Sequence, residues 1–100
     1  MWLTDKMVSF IDFPVLQGSK EQVAVAENIR IRILMDLLEE IVKRYAKDAS
    51  ETNLDYLNVL ELIRGQTIPE SVIFGELVRQ DWAIWWIENR FAEAADFLIN

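Results

Sequence analysis

The sequence predicts an all-α fold, a small bundle of about four helices that forms one domain over residues 1–100. Three observations support this prediction. Apolar side chains recur every third or fourth residue through most of the chain, which is the period of a helix with one buried face. Residues typical of helix ends separate the apolar segments. The chain is also 52% hydrophobic, which is enough for one core in 100 residues.

The N-terminal part of the chain divides into an arm and a long helix. Residues 1–17 are apolar but have no regular period and include Pro14, so we expect an arm that packs on the helices. The first helix is predicted over about 20–48. Ser19 is placed to cap its free backbone amides, and Gln22 is placed to complete a capping box with Ser19.

End signals also separate the remaining segments. Ser50 or Thr52 is placed to cap the second helix, and Gly65 is placed to end that helix in the left-handed conformation. Thr67 is placed to cap the third helix, with Glu70 closing the capping box. The predicted ranges of these helices are about 51–64, 69–79 and 82–98.

The charge of the chain is acidic and unevenly distributed. Its formal net charge is −7, and residues 49–100 alone hold nine acidic side chains and three arginines, a net charge of −6. Phosphate backbones and anionic lipid surfaces repel such a chain, so we expect no direct binding to nucleic acid and none to membranes. The longest apolar run, residues 82–87, is too short to span a bilayer, and the start of the chain lacks a secretory signal pattern. We expect a cytoplasmic protein of a bacterium or a phage-infected cell.

The chain contains no histidine and no cysteine. The usual general base, the usual zinc ligands and the strongest nucleophile are therefore missing, and we predict no enzyme, no catalytic residue, no metal site and no cofactor. Asp36, Glu39 and Glu40 form the densest carboxylate cluster, and this spacing on a helix can hold a hard cation. Acidic helix surfaces paired with Lys and Arg have the same pattern and are far more common, so we favour that interpretation.

The segment from Trp82 to Ile87 is apolar on every side of a helix. Such a turn is typical of a helix enclosed in the core, and we favour that interpretation. It is also typical of a contact surface, because tryptophan is enriched in binding hot spots. The candidate partner-binding residues are Trp82, Trp85, Trp86, Glu88 and Arg90.

Two stretches resemble a known domain. Residues 14–30, PVLQGSKEQVAVAENIR, and residues 83–90, AIWWIENR, resemble a small domain that recurs in uncharacterised bacterial and phage proteins. That domain typically reads L-x-G-S-x-K-Q-I-A-W-A-E-x-I-R near its start and A-K-x-W-I-D-N-R near its end. Val25 stands where the pattern has tryptophan. The resemblance implies a phage or mobile-element setting and no known activity.

Together the two stretches predict one seam between two helices. Ala26 permits a close approach of the backbones, and Glu27 and Arg30 are placed to pair with residues 88–90 across the seam. The predicted seam residues are Gln22, Ala26, Glu27, Arg30 and Asn89.

Two functions from different classes follow from these patterns. We expect a non-enzymatic protein–protein interaction module, a phage or mobile-element accessory protein whose apolar surplus binds a protein partner or a second copy of the chain as a homodimer. The competing hypothesis is an acidic, DNA-mimic-like inhibitor of a nucleic-acid-binding protein, of the anti-CRISPR or anti-defence class.

Overall fold

The computed structural model describes residues 7, 9, 11–45 and 53–98. It confirms the all-α fold. Over these residues the pairing between Gln17 and Trp82 is an isolated bridge, and no other strand pairing occurs. No helix in the described ranges is both long enough and apolar enough to cross a bilayer. The helices delimited within residues 11–45 and 53–98 are α1 (Lys20–Tyr45), α2 (Asn53–Arg64), α3 (Glu70–Val78), α4 (Ala83–Glu88) and α5 (Ala94–Phe97).

Helix α1 is the centre of the bundle, and each of the other four helices packs against it. Its core-facing side chains recur at helical spacing, so a single face of this 26-residue helix carries them all. Burial of each large aliphatic side chain contributes roughly 1.5–3 kcal/mol. The buried apolar residues of this face are Ala26, Ile33, Leu34, Leu37, Leu38, Ile41 and Val42.

The predicted start of α1 is confirmed. The backbone N–H of Gln22 donates to the Ser19 hydroxyl at 3.1 Å, and the backbone N–H of Ser19 donates to Gln22 Oε1 at 3.0 Å. Gly18 precedes this capping box with a φ of 153°, a conformation that side chains rarely adopt. A Cβ atom at Gly18 would lie 3.1 Å from the Ala83 Cβ, so the glycine brings the start of α4 against the start of α1.

The turn between α2 and α3 differs from the prediction in two details. The left-handed residue is Gln66, with a φ of 55°, and not Gly65. The Thr67 hydroxyl donates to the Leu62 carbonyl at 3.1 Å, so it closes the end of α2 and does not cap α3. Ser50 and Thr52, the predicted caps of α2, lie outside the described residues, as does the predicted end of the first helix near residue 48.

The predicted last helix, 82–98, is wrong in its middle, because the chain forms two short helices there. Side chains end α4: the Asn89 amide donates to the Trp85 carbonyl at 2.8 Å, and Arg90 Nη1 donates to the Ile87 carbonyl at 2.7 Å. A capping box between Glu93 and Asp96 then starts α5. The Trp85 carbonyl also accepts the Asn89 backbone N–H at 3.1 Å, whereas the Ile87 carbonyl, which a continuous helix would pair with residue 91, accepts from Arg90 instead.

Two glycine substitutions test this backbone geometry. We expect Gly18→Ala to lower the free energy of unfolding by roughly 1–3 kcal/mol, because alanine at that φ is strained and its Cβ meets Gln22 and Ala83. We expect Gly75→Ala to raise it by about 0.5–1 kcal/mol, because Gly75 is helical and only the flexible end of Arg79 lies near the new Cβ. Urea unfolding of both variants measures this contrast, and changes of the same sign would contradict it.

Candidate functional site

The structure divides the tryptophan turn between the core and the surface. Trp86 is fully buried, and its indole N–H donates to the Gln80 carbonyl at 2.9 Å. The prediction that Trp86 contacts a partner is therefore wrong, since its side chain packs in the core. Trp82 lies at the start of α4 and is 56% exposed, and Glu88 is exposed at its end. Trp85 is half-buried and forms a T-shaped contact with Trp86, with ring centroids 4.9 Å apart.

The predicted seam exists between α1 and α4, but its polar residues do not pair across it. Ala26 is fully buried and Gln22 caps α1. Asn89 bonds within its own helix end, and Glu27 is exposed. Arg30 Nη1 donates to the Pro14 carbonyl at 2.8 Å, so this side chain holds the N-terminal segment against α1.

The buried Arg30 side chain is electrostatically unusual. It is only 8% exposed, its guanidinium lies 5.0 Å from the centre of the Phe13 ring, and its Nε has no hydrogen-bond partner among the described residues. Burial lowers the pKa of Arg30, and the nearby Glu27 carboxylate opposes this effect. The expected pairing of Arg30 with residues 88–90 is thus replaced by contacts with Phe13 and Pro14, which fix one end of the described N-terminal segment.

A groove of about 750 Å³ lies between α1 and the turn that follows α4, and we call it the α1 groove. One wall is the face of α1 from Ile29 to Lys43, and the other is residues 90–95. Arg90 lies at this second wall with its guanidinium 4.7 Å from the centre of the Phe91 ring. Arg32 Nη2 donates to the Arg90 carbonyl and fixes the turn on α1.

Phe91 is the most unusual side chain of the α1 groove, because 83% of its surface is exposed to solvent. Sequence reasoning missed Phe91, since a helix over 82–98 would have continued through it. The signal that would have revealed this turn is the capping box of Glu93 and Asp96, which starts a new helix and leaves Phe91 in the connection.

The acidic cluster of α1 lines the same groove, and two of its three carboxylates are paired with cations. Asp36 lies 3.8 Å from Arg32, and Glu40 lies 3.5 Å from Lys43. These contacts agree with the interpretation of the cluster as a helix surface paired with Lys and Arg. No group of three potential ligands within the described part of the chain is arranged to hold a metal ion.

A second groove, which we call the α3 groove, lies where α3 faces α4 and α5 and has a volume of about 410 Å³. Trp85 and Phe97 form its aromatic wall, with ring centroids 6.5 Å apart. Its charged residues are Glu76 and Asp96, both acidic. Asp96 Oδ2 accepts the backbone N–H of Glu93 at 2.8 Å, which fixes this carboxylate at the start of α5.

A third polar cluster joins three parts of the bundle, and sequence reasoning missed it. Glu70, at the start of α3, is buried; it accepts from the Tyr45 hydroxyl at 2.7 Å and from Arg44 Nη1 at 3.2 Å. Arg44 also donates to the Leu98 carbonyl at 3.5 Å. Burial raises the pKa of Glu70, but hydrogen bonds from Tyr45, from its own backbone N–H and from Arg44 outweigh burial and leave that pKa below its ordinary value. The bond to Glu70 raises the pKa of Tyr45, with smaller contributions in the same direction from desolvation and the Glu70 charge.

This cluster predicts a pH-dependent part of the stability. A carboxylate whose pKa is lowered by folding stabilises the fold above its ordinary pKa of 4.5, and this contribution is lost as the pH falls through the lower folded-state value. We expect Glu70→Gln to cost roughly 1–3 kcal/mol at pH 7. The difference from the wild-type protein is expected to shrink on acidification below pH 4.5.

Chemical denaturation at a series of pH values measures this difference. Glu61→Gln is the matched control, because Glu61 is an exposed acid on α2 in a surface ion pair with Arg64. A cost of Glu70→Gln that is the same at pH 3 and pH 7 would contradict the assigned role of the Glu70 charge.

No family model, no curated protein and no solved structure matches this chain. Function is therefore inferred from the geometry of the two grooves and from the charge and exposure of the residues that line them.

Proposed function

We propose that this protein is a non-enzymatic protein–protein interaction module that binds a protein partner, or a second copy of the chain, through the α1 groove. The single observation that carries this proposal is Phe91, a large aromatic side chain that is 83% exposed at the edge of a groove. Aromatic residues and arginine are enriched among the residues that dominate binding energy, and Arg90 stacks on Phe91 here.

The charges of the α1 groove favour a protein as its ligand. Both signs of charge line it, with Arg32, Lys43 and Arg90 near the carboxylates of α1. Such a mixture is complementary to another protein surface of mixed charge, and it disfavours nucleic acid, whose charge has one sign. The apolar part of the surface extends along α1, because Val25 is exposed one helical turn before Ile29 and on the same face.

The predicted contact residues differ in their position relative to the α1 groove. Arg90 lies in the α1 groove, Trp82 is exposed outside it, and Glu88 is exposed at the end of α4. The resemblance of the sequence to bacterial and phage domains supports a phage or mobile-element accessory protein that acts in the bacterial cytoplasm. The competing proposal, an acidic inhibitor of a nucleic-acid-binding protein, is supported by the net charge of −6 in residues 49–100.

Substitution of Phe91 tests the proposed contact surface. We expect Phe91→Ser to weaken binding to a partner captured from the native host by about thirtyfold, the effect of losing a hot spot worth about 2 kcal/mol. Val15→Ser is the matched control, because Val15 is 86% exposed and lies outside the α1 groove. Both variants are expected to unfold within about 0.5 kcal/mol of the wild-type protein, since both side chains are exposed.

Two measurements read out the result. Affinity capture with quantitative mass spectrometry tests a different protein as partner, and light scattering coupled to size exclusion tests a homodimer that Phe91→Ser converts to a monomer. Binding that Phe91→Ser leaves intact, or that both variants weaken equally, would contradict the proposal. Binding that falls steeply with added salt and is insensitive to Phe91→Ser would favour the acidic inhibitor.

A further inference from the structure

We infer that Arg32 is the positioning residue of the α1 groove, because it holds the turn that presents Arg90 and Phe91 in one shape for binding. This inference rests on the function proposed above for that groove. Arg32 lies on α1, and its side chain is half-exposed. Its Nη2 donates to the Arg90 carbonyl, and its Nη1 lies 3.8 Å from the Asp36 carboxylate. One guanidinium group thus joins the turn to a fixed point on the helix.

Arg90 and Phe91 are the two central residues of a β-turn that runs from Asn89 to Ala92. The backbone N–H of Ala92 donates to the Asn89 carbonyl at 3.0 Å and closes this turn. Such a closing bond leaves the carbonyl and the N–H of the middle peptide without a partner inside the turn. The carbonyl of the middle peptide belongs to Arg90, and it is the group to which Arg32 donates. Arg32 therefore fixes the part of the turn that the closing bond does not fix.

The other hydrogen bonds of this turn join it to the two short helices. They run from Asn89 and Arg90 back to carbonyls of α4, and between Glu93 and the start of α5. Helices of six and four residues have little stability of their own. Among the hydrogen bonds of the described ranges, the bond from Arg32 is the one that ties the turn to the long helix α1.

A fixed turn favours binding because Phe91 is 83% exposed. An exposed side chain on a mobile turn loses conformational freedom when a partner covers it, and this loss weakens affinity. On a turn already held in one shape, much of that freedom is lost on folding, so less is lost on binding. Arg90 lies with its guanidinium 4.7 Å from the centre of the Phe91 ring, so the two side chains are held together. Arg32 thus raises affinity through Phe91 and Arg90 and has no need to touch the partner.

Backbone order in the free protein tests the first step of this inference. Arg32→Met removes the donor groups and keeps much of the side-chain length, whereas Arg32→Lys keeps the charge and one donor group. Arg64→Met is the matched control, because Arg64 is an exposed arginine on α2 that forms a similar ion pair within one helical turn. We expect the N–H order parameters of residues 90–92 to fall from about 0.85 to below about 0.6 in Arg32→Met. We expect them to stay near the wild-type value in Arg32→Lys and Arg64→Met.

Binding tests the second step. The probe is the protein that the wild-type chain captures from its host, or the chain itself where size exclusion shows a dimer. We expect Arg32→Met to weaken binding about fivefold and Arg32→Lys to change it less than about twofold. In the Phe91→Ser background, we expect Arg32→Met to weaken binding by less than about twofold, because the side chain that the turn positions is gone. An arginine that touched the partner directly would cause the same loss in both backgrounds.

Any of the following results would overturn the inference. The order parameters of residues 90–92 do not fall in Arg32→Met, or fall equally in Arg64→Met; order is lost throughout the bundle and not in the turn; binding is unchanged in Arg32→Met although Phe91→Ser weakens it; or the loss is the same in both backgrounds. The order parameters are measured without a partner, so they can contradict the role of Arg32 while the proposed function stands. Binding that survives Phe91→Ser contradicts the proposed function and, with it, the binding role of Arg32.

Discussion

The burial of one apolar face of α1 is the constraint on which the rest of the structure depends. Of the helices delimited in the described ranges, α2 to α5 each contact α1, and α4 and α5 have only six and four residues. Helices of that length are unstable alone in water, so their positions are set by packing on α1. Short helices also leave parts of α1 and α3 uncovered. The two grooves are the uncovered parts, which is why the candidate binding surfaces lie beside α4 and α5.

The sequence was sufficient to predict the helical class and the start of α1. The Ser19 and Gln22 bonds follow from local spacing, and the apolar period of α1 needs no tertiary information. The break after α4 was not predicted, because the apolar pattern continues through it and the bonds that end the helix come from Asn89 and Arg90 side chains. Asn89 and Arg90 bond to backbone carbonyls of their own helix and not to residues across the seam. Which of these partners is within reach depends on the tertiary position of the turn.

The candidate sites were less predictable than the fold, for the same reason. Trp82, Trp85 and Trp86 have similar hydrophobicity and are close in sequence, yet one is exposed, one half-buried and one fully buried. Helical spacing gives the angle between such side chains, but it does not say which neighbouring helix covers each of them. The Glu70 cluster joins residues that are 25 and 26 positions apart, so no local pattern indicates it. Net charge was informative only at the coarse level, because it does not say which carboxylates the fold pairs with cations, as it does Asp36 and Glu40.

Native-state hydrogen exchange tests most directly the claim that α1 organises the bundle. The amides of Leu34 to Val42 are expected to exchange most slowly, through unfolding of the whole domain, because the buried side chains of this stretch form the centre of the core. The amides of α4 and α5 are expected to exchange faster, through local opening that leaves α1 folded. Faster exchange in α1 than in α4 and α5 would contradict this account, since the short helices would then hold their structure without the helix on which they pack.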